Sequence, residues 1–231
     1  MRLWIPALVL AALAASQAKA SPGVRTVASS EGRDLLRYYA SIAEQETGID
    51  GLATFLDAAA YTESRHNSTA INDSASESAA ARRLFLADRN QRRYANNSAI
   101  GMPERWAYSG GWFGMMPATA LATADGAAVT IVPESVFWPQ HAIAYATDLV
   151  VRLKRNYGPD TWADIRKGWA SPGLVNSTAE RAMQTDTRFR RALRNTGHPE
   201  SFADRRAPST AHYPGFAALL ARLQAHSQGV S

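Results

Sequence analysis

The chain has 231 residues, 46% of them hydrophobic, which is long enough for one domain with a sizeable core. Six Trp, eight Tyr and seven Phe exclude a disordered chain, and the absence of Cys excludes disulfides and thiol chemistry. The formal net charge of +5 is too small to imply nucleic acid and suits an exported protein working on an anionic polymer or surface. The five histidines, His66, His141, His198, His212 and His226, are scattered with no pair at metal-ligand spacing, so neither a metal nor another cofactor is expected.

Met1 and Arg2 open a short positive region, Leu3 to Ala15 is apolar, and Ala18-Lys19-Ala20 has the small-x-small form of a cleavage site. Residues 1–20 therefore read as a secretory signal peptide cleaved after Ala20, and they are too short for a membrane span. A retained amphipathic anchor is the alternative. The segment carries two basic residues and no acid, which leaves the mature chain at +3. No other stretch is long and apolar enough to cross a bilayer, so no stable membrane span is expected.

Ser21 to Ser29 is a polar leader with Pro22 and Gly23. Glu31 to Gly48 is predicted as a helix, capped by Ser30, with Leu35, Leu36, Tyr39 and Ile42 on its inner face. Gly51 to Arg65 is a second helix, in which Leu52, Phe55, Leu56 and Ala59 recur at three- and four-residue intervals. Glu63 follows Ala59 by four positions and so projects from the same apolar stripe. Desolvation there disfavours the charged carboxylate, which is how an acid is kept protonated for general acid catalysis. The plainer alternative is a helix-end glutamate turned to solvent or paired with Arg65.

Asn72 to Ser78 is small and polar. Ala79 to Tyr94 can be helical and carries Arg82, Arg83, Arg89, Arg92 and Arg93, which read either as a clamp on an anionic substrate or partner or as a solvated helix face. Asn96 to Gly101 is a loop. Between Tyr108 and Gly114, glycines 110, 111 and 114 interleave with Trp112 and Phe113. Glycines there allow a tight turn and close approach of a ligand, and the aromatics offer flat faces for sugar rings; a core turn with packed aromatics is the alternative. Pro117 opens a short helix over Ala118 to Ala124, followed by a loop over Gly126 to Pro133.

The clearest helix opens at Pro139, with a core stripe of Ile143, Ala146, Leu149, Val150 and Leu153 and a cap at Gly158. Asp160 is predicted to cap a short helix with Trp162, Ile165 and Trp169 on one side. Thr178 to Asn195 is a further helix closed by Gly197, with a basic run at Arg188, Arg190, Arg191 and Arg194. Residues 198–213 are loop-like, and Pro214 to Ala225 is a final amphipathic helix with Phe216, Leu219, Leu220 and Leu223. No repeat, long linker or hairpin is evident. The pattern predicts a mainly α protein with a single domain over residues 21–231.

Three blocks carry a resemblance. Glu63-Ser64-Arg65-His66-Asn67-Ser68-Thr69-Ala70 resembles the E-S-x-x-N-P-x-A segment of lytic transglycosylases in the lysozyme-like superfamily. Gly111-Trp112-Phe113-Gly114-Met115-Met116-Pro117-Ala118-Thr119-Ala120 is similar to their G-L-M-Q-x-M-P-A-T-A segment, and Gly168-Trp169-Ala170-Ser171-Pro172-Gly173-Leu174-Val175 falls where they carry Y-N-A-G-P-x-x-V. The blocks stand in family order. The resemblance spans about residues 35–175, leaving 176–231 as a helical C-terminal extension.

The resemblance implies a lysozyme-like domain with a substrate cleft between helical lobes. It implies an exported, periplasmic or extracellular enzyme that cleaves the bond between N-acetylmuramic acid and N-acetylglucosamine in peptidoglycan and leaves 1,6-anhydro-muramic ends. Glu63 would be its sole catalytic acid and base, with Asp73 and Glu77 the only nearby candidates for a second carboxylate. Ser64, Gly111, Trp112, Phe113, Met115, Met116 and Trp169 would contact substrate. Peptidoglycan strands are the implied partner, with cell-envelope assembly or secretion machinery as a further one. The family glutamine falls at Gly114 and its Tyr-Asn pair at Gly168 and Trp169, positions that Tyr108 or Tyr145 would have to serve. Two alternatives follow from these departures: a hydrolytic muramidase or chitinase on the same fold, and a non-catalytic glycan-binding or assembly protein.

Overall fold

In chain order, the structure runs through helices α1 (Ser30–Thr47) and α2 (Leu52–Ser64), strand β1 (Ile71–Asn72), helix α3 (Ala75–Leu86), strand β2 (Ser109–Gly110) and helix α4 (Pro117–Thr123). Helices α5 (Pro139–Tyr157), α6 (Trp162–Ala170), α7 (Glu180–Asn195) and α8 (Phe216–Gln228) follow, with single 3-10 turns at Pro133–Phe137, Pro172–Leu174 and Glu200–Asp204. It is a computed structural model that describes residues 30–86, 107–123 and 132–228. The predicted signal peptide, the leader, Arg89, Arg92, Arg93 and the loop over 96–101 lie outside the described residues, as does most of the loop predicted before Pro133. The protein is mainly α, and among the described residues no helix is long and apolar enough to cross a membrane.

Helix α2 is central. Leu52, Phe55, Leu56, Ala58, Ala59 and Ala60 are fully buried, more than one face of an amphipathic helix needs. The alanine run makes this feasible, because short side chains let α1, α5 and α7 pack close on several sides. Phe55 is the hinge of the packing: its ring stacks on Trp162 of α6 at 4.9 Å and meets Phe189 of α7 at 5.6 Å. Burying one such side chain contributes about 1.5–3 kcal/mol. Helix α5 presents its predicted stripe to the core, while Leu149 is only half-buried and looks toward the pocket described below.

One buried charge ties these helices together. Asp57 on α2 is 1% exposed and is held by Arg33 and Arg37 of α1, by His66 just beyond α2, and by His198 beyond α7. Burial alone pushes this carboxyl up. The hydrogen bonds from His198, His66, Arg33 and Arg37 outweigh burial and hold it well below the usual carboxylate range.

Three local expectations are corrected. Thr161, not Asp160, caps α6, because its side chain accepts from the Asp164 amide while Asp164 accepts in return, a reciprocal box. Helix α3 begins at Ala75, inside the small polar segment and four residues before the helical stretch read from Ala79. The 3-10 turn over 200–204 interrupts a stretch expected as loop. The pairing of β1 with β2, Ile71 opposite Gly110 and Asn72 opposite Ser109, was not legible, since two residues a side leave no alternating pattern to detect.

Candidate functional site

Glu63 is the penultimate residue of α2, and the chain beyond it is bent back at once. Arg65 and His66 both adopt left-handed backbone conformations, with φ of 56° and 64°. Such values are uncommon outside glycine and need support from their surroundings. Here the support is visible: the amide of Arg65 reaches the carbonyls of Ala60 and Tyr61, and the His66 ring returns to Asp57. The Arg65 guanidinium lies over the Tyr61 ring at 4.3 Å. Asn67 then accepts from the amide and hydroxyl of Thr69, shaping the turn that leads into β1. The end of α2 is thus fixed from both sides, and with it the position of Glu63.

The glycine-rich block closes over this helix end. Gly110 and Met115 exchange backbone hydrogen bonds, so residues 111–114 form a tight loop. Gly111 has φ of 71°, and a Cβ there would lie 2.3 Å from the Val136 carbonyl oxygen, so only glycine fits. Ser64 Oγ donates to the Trp112 carbonyl at 2.9 Å and to that of Ala60 at 3.1 Å, tying the loop to α2. Gly114 faces the acid: a Cβ at Gly114 would come 3.5 Å from Glu63 Oε2. With no side chain there, that oxygen is open to approach.

A pocket of about 810 Å³ opens in front of Glu63. Of the residues expected at a site, Glu63, Phe113, Met115, Met116 and Trp169 line it. Trp169 of α6 is half-buried and meets Phe113 with ring centres 5.7 Å apart. Ser64, Gly111 and Trp112 do not line it. Ser64 is occupied as a backbone tie, Gly111 is pressed against Val136, and Trp112 is 1% exposed in the core. Expected at substrate, these three hold the loop and the core in this structure. Gly168 also packs: a Cβ there would lie 2.6 Å from Val175 Cγ2, so its side is filled from within. Neither tyrosine named as a stand-in lines the pocket. Tyr145 is fully buried and its hydroxyl meets Ser135 Oγ, while the Tyr108 hydroxyl donates to the Pro133 carbonyl.

The surroundings of Glu63 differ from the apolar floor expected. The Arg166 guanidinium, reaching from α6, donates through Nη2 to Glu63 Oε1. Arg166 is 5% exposed, and its Nε and Nη1 are buried without a hydrogen-bond partner among the described residues. Burial pushes this guanidinium down from its ordinary value, Glu63 opposes that shift, and the charge of nearby Arg188 adds to it. The Glu63 side chain itself is 28% exposed, so one oxygen is held while the acid remains accessible. Arg166 was missed in the sequence, although a signal was present. It follows Trp162 by four residues and precedes Trp169 by three, which puts a cation on the apolar stripe of α6.

Further polar groups line the same space. Glu77, in the first turn of α3, is among them, whereas exposed Asp73 is not. Arg82 and Arg83 are exposed and do not reach the pocket. The arginines that do are Arg65, Arg166 and, from α7, Arg181, Arg188 and Arg191. Chemically, the site offers an accessible carboxyl oriented by one guanidinium, the half-buried Trp169 ring, and a cationic wall. The chain matches no protein-family model, no curated protein sequence and no solved structure.

Proposed function

We propose that the chain is an exported peptidoglycan lytic transglycosylase on a lysozyme-like fold, with Glu63 as its one acid and base and the pocket as part of its glycan cleft. The observation that carries this reading is convergence. Glu63, the Gly114-Met115-Met116 segment and Trp169 come from three blocks far apart in the chain, and all line one pocket. These are the blocks whose order resembles the family.

In the proposed reaction, the Glu63 carboxylate of the resting ion pair first takes a proton from solvent on Oε2, and then gives it to the glycosidic oxygen as the bond to C1 of the muramic acid breaks. The resulting carboxylate then takes the proton of the 6-hydroxyl on the same sugar as that oxygen bonds to C1. The leaving strand departs with the first proton, and the enzyme ends protonated again. The attack is intramolecular and benefits from high effective concentration. Arg166 holds Oε1, leaving Oε2, on the Gly114 side, for the proton traffic. Arg166 thereby takes the orienting role that the family residues absent at Gly114 and Gly168-Trp169 would serve.

Mass spectrometry of fragments released from purified sacculi tests the reading. Anhydro-muramic ends from wild type, absent with Glu63→Gln, are the expected result; no cleavage by wild type would overturn it. Export is tested separately, by finding Ser21 at the N-terminus of the mature protein.

A second reading has one observation in its favour: Glu77 lines the same pocket as Glu63. Two carboxyl groups flanking a glycosidic bond support hydrolysis. Reducing ends in place of anhydro ends, lost on Glu77→Gln, would select this hydrolase.

A further inference from the structure

We infer that the pocket takes a glycan carrying anionic branches, and that the arginine face of α7 receives the carboxylates of peptides attached to the strand. This rests on the glycan reading above and extends it to substrate class.

The distribution of charge on α7 is the first ground. Arg181, Arg188 and Arg191 face the pocket together with Thr185 and Ala192, as spacings of seven and three residues require. Among the described residues, none of these three arginines has an acidic partner. The other arginines of the same helix are paired: Arg190 with Asp186 and Asp204, Arg194 with Glu200. All three are exposed, so their charges are open to a ligand entering the cavity.

Arg166 is the second ground. It is 5% exposed, lines the pocket, and uses only Nη2 on Glu63; its Nε and Nη1 are buried donors with no partner among the described residues. Buried donors left unsatisfied are costly and call for a ligand or water. The charge of Arg188 acts on Arg166 unfavourably, a cost that an anion between them would remove. Among the described residues, five arginines and two glutamates line the space, so the excess there is cationic. All the cations are arginines, whose planar fork pairs with carboxylates through two parallel bonds. Half-buried Trp169, backed by the buried Phe113 ring, offers a face to a sugar ring beside them, so one pocket offers both a stacking surface and an anion wall. A neutral glycan leaves that wall unused.

The test is binding and cutting measured on the same protein with three polymers: glycan strands bearing their peptides, strands stripped of peptides, and polyglycerol phosphate. Wild type is expected to bind peptide-bearing strands about tenfold tighter than stripped ones, an advantage that high salt reduces. The Arg181→Gln/Arg188→Gln/Arg191→Gln variant should lose that preference, and Arg194→Gln, on the paired face, should keep it. Arg188→Gln alone carries the test if the triple variant does not fold. Equal affinity for both strands, or a preference surviving the triple substitution, overturns the inference. So does tight binding of the phosphate polymer without a preference for peptides. Charge-dependent binding with no cutting would sink the transglycosylase reading and leave this one; cutting without preference would do the reverse.

Discussion

Arg166 and Glu63 form a partly buried ion pair between α6 and α2, with the guanidinium 5% exposed and the acid's side chain 28% exposed. The pair couples the acid to the helix that also carries Trp169. Its asymmetry decides what each substitution should do.

Glu63→Gln should lower peptidoglycan cleavage by at least ~10²–10⁴-fold, the usual contribution of general acid–base catalysis. An acid expected to be neutral in an apolar floor predicts no change in stability. The ion pair predicts a loss: Gln leaves a buried guanidinium with a neutral partner, at a cost of about 1–2 kcal/mol once solvent exposure of the acid is allowed for. Thermal melts of the two proteins check this, and an unchanged Tm would contradict the role of Arg166.

Arg166→Met replaces the buried cation with an apolar chain of similar volume. Removing one partner of a buried pair typically costs about 3–5 kcal/mol, and because the Glu63 left behind is 28% exposed the loss should be smaller, about 1–2 kcal/mol. Cleavage should fall, because Glu63 loses its orienting partner. In a double-mutant cycle with Glu63→Gln, the coupling in stability should reach about 0.5–3 kcal/mol. Additive losses would show that the two residues act independently.

Gly111 and Gly114 should respond differently to alanine. Both have positive φ, so each substitution carries a backbone cost of about 1–2 kcal/mol. Gly111→Ala adds a clash at 2.3 Å with the Val136 carbonyl oxygen and should destabilise by a further 1–3 kcal/mol or so, about the cost of overpacking. Gly114→Ala meets nothing closer than Glu63 Oε2 at 3.5 Å, so its main effect should be on cleavage. Denaturant melts alongside strand-cleavage rates separate the two.

Asp57 should give the fold an acid limit. Its folded pKa lies well below the ordinary carboxyl value of 3.8, so its contribution is fully present above that value and is lost as pH falls below it toward the folded pKa. Asp57→Asn should cost about 3–5 kcal/mol at neutral pH, since it strands the surrounding cations, and should flatten the loss of stability below pH 4. Urea melts from pH 2 to pH 7 test both claims.

His141 acts in a higher window. Burial lowers its pKa from 6.5 to about 4, so the unfolded chain binds a proton that the folded one refuses between those values. Stability should therefore decline as pH falls from about 6.5 to 4, by up to roughly 3 kcal/mol. His141→Gln should remove that slope and leave the deeper acid limit of Asp57.

The sequence by itself determined the helices and the place of the acid. The three- and four-residue recurrence of Leu52, Phe55, Leu56 and Ala59 marks the buried side of α2, and Glu63 follows on the same spacing. The stripe of α5 and its stop at Gly158 are legible for the same reason: helical periodicity is a local property. Tertiary structure decided the partners. Arg166 meets Glu63 across 103 positions, and Ser64 meets the Trp112 carbonyl across 48. An apolar stripe says which side is buried, but the residue opposite depends on how two helices cross. The same limit governs the arginines of α7, whose run along the chain hides two faces. Arg190 and Arg194 turn to acids, while Arg181, Arg188 and Arg191 turn to the pocket. A glycine's reason is equally non-local: Gly111 is fixed by a carbonyl of a distant turn, and Gly114 by the acid it leaves uncovered.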